Sequence, residues 1–401
     1  MDDFGTRLRR CRVLRLVKPC IRGTDASITQ TLSSPFIAIL FPPMSTNYRV
    51  GVLGATGAVG QQFIRLLHDH PWFSVTALAA SERSAGKPYR EAANWIDGRP
   101  MPEAVASMQV QRAEPPLDCD FVFSGLSSSV AGEVEAAFAE AGYPVISNAK
   151  NYRMEEDVPL LIPEVNGEHA ALVEQQDWSD GGFIVTNPNC STVGLVCALH
   201  PLHQAFGIES VHVTTLQSLS GAGYPGVPSL DALGNVIPHI GGEEDKMATE
   251  PRKLLGQLKG GAVVPATLNI SAQCNRVPVK NGHVACVSAR FEQFAMPDEV
   301  TDVLRSYRSP LVDDGLPSAP EQLLHVAEAP DDPQPQRHLH RGQGMTVSVG
   351  RIRECTVFDV KFATLVHNTI RGAAGGAVLN AELLAAQGYL HARPQRTSAT
   401  A

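Results

Sequence analysis

The sequence predicts an α/β fold of two domains, and three observations carry that expectation. At 401 residues the chain exceeds what one ordinary hydrophobic core supports. Between residues 47 and 190, short β-rich runs alternate with helical stretches, which is the pattern of a parallel sheet with right-handed crossovers. Beyond Cys190 the texture changes to strand-like segments of alternating polarity, separated by long Gly/Pro-rich loops. Together these give a Rossmann-like dinucleotide-binding domain plus an α+β domain.

The first unit opens with "NYRVGVLGATGAVGQQFIRLL", which reads as strand, glycine-rich turn and helix. The strand covers residues 50–53. The helix starts near Ala58 and repeats apolar residues at helical spacing through Phe63, Ile64 and Leu67. Strands follow in "FSVTALAA", "DFVFSGL" and "YPVISNA", with the helical "SVAGEVEAAFAEAG" between the last two, and "GGFIVTN" is a final strand leading to Cys190. In the second unit "VHVTTLQSLSG", "QCNRVPV" and "GHVACVSARF" read as strands, and "MTVSVGRIREC" and "FDVKFATLVHN" as an antiparallel pair. The closing "TIRGAAGGAVLNAELLAAQGYL" reads as a helix rich in small residues, expected to pack back on the first domain. The expected division is therefore 47–190, completed by a helix at 369–391, and a second domain at 191–368.

Residues 1–46 stand apart. Seven Arg/Lys against three Asp, with a Ser-rich stretch, have the character of a targeting peptide. The favoured reading is plainer: "MSTNYRVGVLGATG" makes Met44 an ordinary start, and the preceding segment is expected to be poorly ordered.

Composition narrows the function. A formal net charge of −8 with 18% charged residues argues against a nucleic-acid-coating or anionic-membrane protein. No apolar run approaches the roughly 20 residues of a membrane helix. The 8 cysteines are scattered without C-x-x-C or Cys/His ligand spacing, so reduced thiols of a cytoplasmic protein without a metal site are expected.

Two places carry chemistry. Gly54, Gly57 and Gly60 in "GATGAVG" follow a strand and open a helix, where backbone N–H groups can approach a pyrophosphate. The intervening Thr56, Ala58 and Val59 belong to the same cradle. The next strand ends in "AASERSAGK". There Ser81, Arg83, Ser84 and Lys87 offer hydroxyls and positive charge to a ribose 2′-phosphate, with Glu82 the acidic exception, so NADP is expected over NAD. The second place is "FIVTNPNCSTVGLV". Cys190 sits at a strand-to-helix junction, bracketed by Asn189, Ser191 and Thr192, where the helix N-terminus is expected to lower its pKa. Beside a nicotinamide such a thiolate can add to an aldehyde and retain the acyl group as a thioester.

With these motifs the chain resembles the aspartate-semialdehyde dehydrogenases, in the branch typical of archaea and fungi. The likeness runs from about residue 48 to 390, through "GVLGATGAVGQ", "SERSAGK", "SNAKNYR", "NPNCST", "TLQSLSGAGYPG", "GGEEDKM", "ISAQCNRVPVKNGH", "GQGMTVSVGRIREC" and "LVHNTIRGAAGG". It implies a catalytic and dimerisation domain of the semialdehyde dehydrogenase type, with Cys190 as nucleophile and His283 as acid/base. Read alone, His283 after Asn-Gly is a turn residue. The resemblance further implies that Arg276 grips the substrate α-carboxylate and that Gln217 orients the substrate. Glu243 would hold the amino group, with Glu244 a rival, and Lys246 would contact phosphate. Arg153 and Asn151, helped by Lys150, match the other side of the phosphate pocket. Asn189 would position the thioester or its oxyanion, and Gly221, Asn368 and Gly372 would lie near the nicotinamide. Arg276 and His283 would face opposite ways on one strand, so a turn in "VPVKNG" is needed for them to converge.

The implied activity is NADP- and phosphate-dependent interconversion of L-aspartate 4-semialdehyde and L-4-aspartyl phosphate, on the route to lysine, threonine and methionine. The implied assembly is a homodimer or homotetramer. A CoA-acylating relative on the same scaffold is the nearer alternative, and a non-catalytic cofactor-binding protein the more distant one.

Overall fold

A computed structural model describes residues 47–393, so the expectations for residues 1–46 lie outside the described residues. The first sheet contains β1 (Tyr48–Leu53), β2 (Phe73–Ala80), β3 (Val110–Arg112), β4 (Phe121–Ser124), β5 (Pro144–Ser147) and β6 (Phe183–Thr186). All pairings are parallel, in the order β3-β2-β1-β4-β5-β6. The order reverses beside β1, so the carboxyl ends of β1 and β4 flank the crevice where such a sheet takes a dinucleotide. Every residue of β4, β5 and β6 is buried, as expected of strands covered on both faces. The helix Ala58–Leu67 and the C-terminal helix Gly375–Ala386 share one core with the sheet through Phe63, Phe121, Phe123 and Leu379. The helix Ser128–Glu140 covers the other face through Phe138, against Val122, Val145 and Ile184.

The second sheet is mixed. It holds β7 (Ile208–Gln217), β10 (Asn269–Arg276), β11 (His283–Phe291), β12 (Leu324–Val326), β13 (Val347–Glu354) and β14 (Val360–Val366), while β8 (Gln257–Lys259) and β9 (Ala262–Val264) form a separate hairpin. The order is β10-β7-β11-β14-β13-β12, with the outer strands parallel to their neighbours and the rest antiparallel. β13 and β14 are the antiparallel pair expected from the sequence. Burial alternates along β11, the signature of a sheet covered on one face. That cover is the helix Cys190–Phe206, whose Leu195 and Leu199 pack in one cluster with Val213, Val287 and Phe362. The nucleophile candidate thus begins the helix that leads from the last strand of one sheet to the face of the other.

Three local differences from the sequence reading have physical causes. β1 starts at Tyr48, whose ring is buried and whose hydroxyl donates to the Leu390 carbonyl at 3.1 Å. β3 and β12 are three residues each, too short to show a period. The closing helix opens with a π-type turn, Ile370–Ala374, before regular helix begins at Gly375. Ala373 leaves helical backbone geometry in that turn, and Arg371 beside it makes two 2.7 Å bonds to the buried Glu164. Among the described residues no helix is long and apolar enough to cross a membrane.

Candidate active site

The crevice end of β1 is built from backbone. Gly54 has φ +73°, and a Cβ there would lie 2.9 Å from the Gly125 carbonyl at the end of β4. A Cβ on Gly60 would lie 2.3 Å from the Gly54 carbonyl, an impossible contact, whereas at Gly57 the nearest atom is 3.3 Å away. Thr56, Ala58 and Val59 remain partly exposed where the helix starts. Two side chains hold the turn from behind. The buried Tyr89 donates its hydroxyl to the Ala55 carbonyl at 2.8 Å, and Gln61 donates to the Thr56 carbonyl at 3.0 Å. Sequence reasoning missed both, and only the need of a buried tyrosine hydroxyl for a partner could have pointed to Tyr89.

At the end of β2, Ser81 and Arg83 are exposed and Ser84 closes a turn onto the Ser81 carbonyl at 2.9 Å. Glu82 faces Arg112 at 3.5 Å, both exposed, so its carboxylate is turned toward β3.

Cys190 is the first residue of its helix, and its Sγ lies 3.2 Å from His283 Nε2. The Ser218 N–H donates to His283 Nδ1 at 3.0 Å, so the neutral ring carries its proton on Nε2, toward the sulfur. The Ser218 carbonyl accepts from Arg276 Nη1 at 2.6 Å. Arg276 and His283 converge because β10 and β11 flank β7 on either side and both meet its Gln217 end. Gly221 packs over the pair: a Cβ there would sit 2.8 Å from Arg276 Nη1 and 2.9 Å from the His283 ring. Asn368 ties the neighbouring loops, accepting the Gly282 N–H at 2.8 Å and donating to Ser220 Oγ at 2.8 Å. Gly372 closes the site from the other side, where a Cβ would come within 2.7 Å of Cys190 Cβ.

The helix Glu243–Leu254 supplies the acidic and basic groups. Buried Glu243 accepts from Asn189 Nδ2 at 3.0 and 2.9 Å, from Gln217 Nε2 at 3.2 Å and from Lys246 Nζ at 2.7 Å. Burial opposes its ionisation, but the Lys246 charge and these hydrogen bonds outweigh burial and hold the carboxyl below its ordinary pKa. Glu244 points elsewhere and accepts the Cys274 N–H at 3.0 Å. Asn189 caps the Cys190 helix, its Oδ1 accepting the N–H groups of Ser191 and Thr192 at 3.0 and 3.3 Å. Its own N–H goes to Glu250 at 2.8 Å. Nδ2 shares a donor between the two oxygens of the Glu243 carboxylate, which fixes the direction of the amide.

Arg153 is buried, with Nη1 on Glu250 and Nη2 on the Asn148 carbonyl, both at 2.8 Å, and with Nε lacking a partner. Lys253 donates to the carbonyls of Arg153, Glu155 and Val158 at 2.9, 2.6 and 2.8 Å, clamping the loop that carries Arg153. Asn151 lies apart: it is exposed and donates to the Ser128 carbonyl at 3.0 Å.

One expectation needs correction. The helix N-terminus does not win at Cys190: burial and the Glu243 carboxylate push the thiol up to about 12, against the pull of Arg153, Arg276 and Lys246. Burial and Arg276 bring His283 down to about 3, so thiol and ring are both neutral before substrate arrives.

Residues 49–173 match the family model "Semialdehyde dehydrogenase, NAD binding domain" and residues 199–371 match "Semialdehyde dehydrogenase, dimerisation domain". The chain is 51% identical to an aspartate-semialdehyde dehydrogenase of Archaeoglobus fulgidus, over 84% of this chain and 98% of the relative. The chain belongs to the aspartate-semialdehyde dehydrogenase family. An aspartate-semialdehyde dehydrogenase of Candida albicans is 49% identical over 85% of this chain and 99% of its own length. A structure of a Candida albicans family member with NADP superposes with a TM-score of 0.79 at 45% identity, covering 86% of this chain and 100% of that one. A Vibrio cholerae aspartate semialdehyde dehydrogenase II does so at 0.69 and 28% identity, covering 86% and 100%. The family's NADP-dependent phosphorylating reaction in amino-acid biosynthesis is the activity of this chain. The cradle that Gly54 and Gly60 keep open fits NADP, its cofactor.

Proposed function

We propose the following division of labour in the interconversion of L-aspartate 4-semialdehyde and L-4-aspartyl phosphate. The observation that carries it is the 3.2 Å contact of Cys190 Sγ with His283 Nε2, within reach of the Arg276, Gln217 and Glu243 cluster. In the reductive direction Sγ attacks the acyl carbon, the carbon–oxygen bond to phosphate breaks, and a thioester remains on Cys190. The glycine turn, with Arg83 and Ser84 on the 2′-phosphate, would hold the cofactor, whose reduced form NADPH would supply the hydride in this direction and whose oxidised form would accept it in the other.

His283 exchanges a proton with the sulfur at Nε2. To receive the thiol proton the ring must first switch from its resting tautomer to carry its own on Nδ1, donating to Ser218 Oγ, 3.2 Å away, in place of the bond from the Ser218 N–H. Arg276 binds the substrate α-carboxylate and Gln217 orients the acyl group. Glu243 binds the α-ammonium, and this frees Lys246 from its 2.7 Å bond to serve the departing phosphate beside Arg153. Asn189, its amide held by Glu243, presents its second Nδ2 hydrogen to the acyl oxygen. The product serves lysine, threonine and methionine synthesis in the cytoplasm, and the working form is a homodimer or homotetramer.

The test is NADP reduction by L-aspartate 4-semialdehyde with phosphate, CoA or neither as acyl acceptor. Turnover that requires phosphate is expected. Turnover that requires CoA would keep Cys190 and the fold but remove the roles given to Lys246 and Arg153.

A further inference from the structure

We propose that Glu250 is a positioning residue for the reaction: its carboxylate fastens the backbone just ahead of Cys190 to the Arg153 guanidinium. The proposal rests on Cys190 being the nucleophile.

Both oxygens of Glu250 are committed. Oε1 accepts from Arg153 Nη1 and Oε2 from the Asn189 N–H, each at 2.8 Å, and the side chain is 2% exposed. Charge-assisted bonds of this length in a dry environment are strong and directional. The surrounding helix face repeats the theme. Residues 243, 247 and 250 lie on one stripe of the helix Glu243–Leu254. Glu243 takes the Asn189 amide, Met247 Sδ accepts from Thr192 Oγ1 at 3.6 Å, and Glu250 takes the Asn189 N–H. Asn189 is thereby held at its main chain and at both ends of its side chain. The residue after it has little freedom to move its sulfur off His283.

Glu250 also balances a charge. Without it Arg153 is a buried cation beside the nucleophile, where Arg153, Arg276 and Lys246 favour the thiolate and Glu243 opposes it, with the neutral His283 ring in contact. Loss of Glu250 therefore moves two quantities in opposite directions: the sulfur becomes easier to ionise, and the acyl group is presented less accurately. Loosening of the pocket would also expose the sulfur, so intact melting and an unchanged KM are what separate the two.

The experiment compares wild type, Glu250→Gln and Glu250→Asp, each with intact thermal melting as the entry criterion. The glutamine amide can accept from only one of the two donors. With NADP and phosphate present, Glu250→Gln is expected to lose roughly 30-fold in kcat, the scale of a small misplacement of a reacting atom. Its KM for the semialdehyde should stay within about twofold, and iodoacetamide alkylation of unliganded Cys190 at pH 8 should accelerate about fivefold or more. Glu250→Asp keeps a negative charge beside Arg153 but is one methylene too short to hold both donors, so kcat should stay low. If Glu250→Gln keeps kcat within twofold, or if Glu250→Asp restores it, Glu250 does no more than neutralise Arg153 and the proposal is wrong. A Cys190→Ala enzyme that still turns over would instead overturn the reading of the nucleophile.

Discussion

The two halves of the active site are built from different materials. The cofactor crevice is made of backbone: the sign of φ at Gly54 and the absence of a Cβ at Gly60 decide it. The Cys190 pocket is made of side chains that arrive from β7, β10, β11 and the helix Glu243–Leu254, each holding another. A backbone site tolerates change in its surroundings and fails at one or two positions. A side-chain network spreads its dependence, and a conservative change in the middle of it disturbs several partners at once.

The largest contrast inside the pocket is between adjacent glutamates. Glu243→Gln should cost roughly 100-fold in kcat/KM, because it leaves Lys246 without its anion and the substrate ammonium without a partner. Glu244→Gln, which touches only the Cys274 N–H, should stay within about threefold. Equal losses from the two would break the distinction. In the backbone half, Gly60→Ala should raise the Kd for NADP by roughly 30-fold, since its Cβ must displace the Gly54 carbonyl. Titration calorimetry reads this directly, and unchanged affinity would show that the turn adjusts freely. Arg83→Ala should reduce the preference for NADP over NAD by about tenfold, comparable with one exposed phosphate contact. If the preference survives, Arg112 is the next candidate for the 2′-phosphate.

How much of this was legible in the sequence divides along the same line. The glycine turn could be read directly, because a tight strand-to-helix turn leaves its mark in local residue types. Most strands were legible too, since β4, β5 and β6 are continuous apolar runs and β11 alternates. Cys190 stood out by its position at a helix start. His283, Arg276 and Glu243 did not: nothing in "NGH", "CNR" or "EED" marks a residue whose partners are dozens of positions away. They became visible through family resemblance, and their geometry only through the fold. Glu250 and Tyr89 carried no local signal at all. The thiol pKa was misjudged for a related reason, because a helix N-terminus is visible in sequence while burial and a facing carboxylate are not.

The smallest effect concerns acid stability. Burial holds His283 down to about 3, and holds His200 and His367 each down to about 4, below the ordinary histidine value of 6.5. Their contribution is complete above pH 6.5 and is lost as pH falls, because the unfolded chain binds these protons first. His283→Asn should therefore narrow the drop in melting temperature between pH 7 and pH 5 by a few degrees. An unchanged drop would mean that His283 already titrates as an ordinary surface histidine.

A single-turnover experiment in phosphate-free buffer tests whether the acyl group passes through Cys190. Enzyme mixed with L-aspartate 4-semialdehyde and excess NADP should give a rapid burst of one NADPH per active site and then nearly stop. Intact-mass analysis should find the acyl group on the peptide containing Cys190, and added phosphate should restore steady turnover. Absence of a burst in the wild type, or a full burst in Cys190→Ala, would contradict the account.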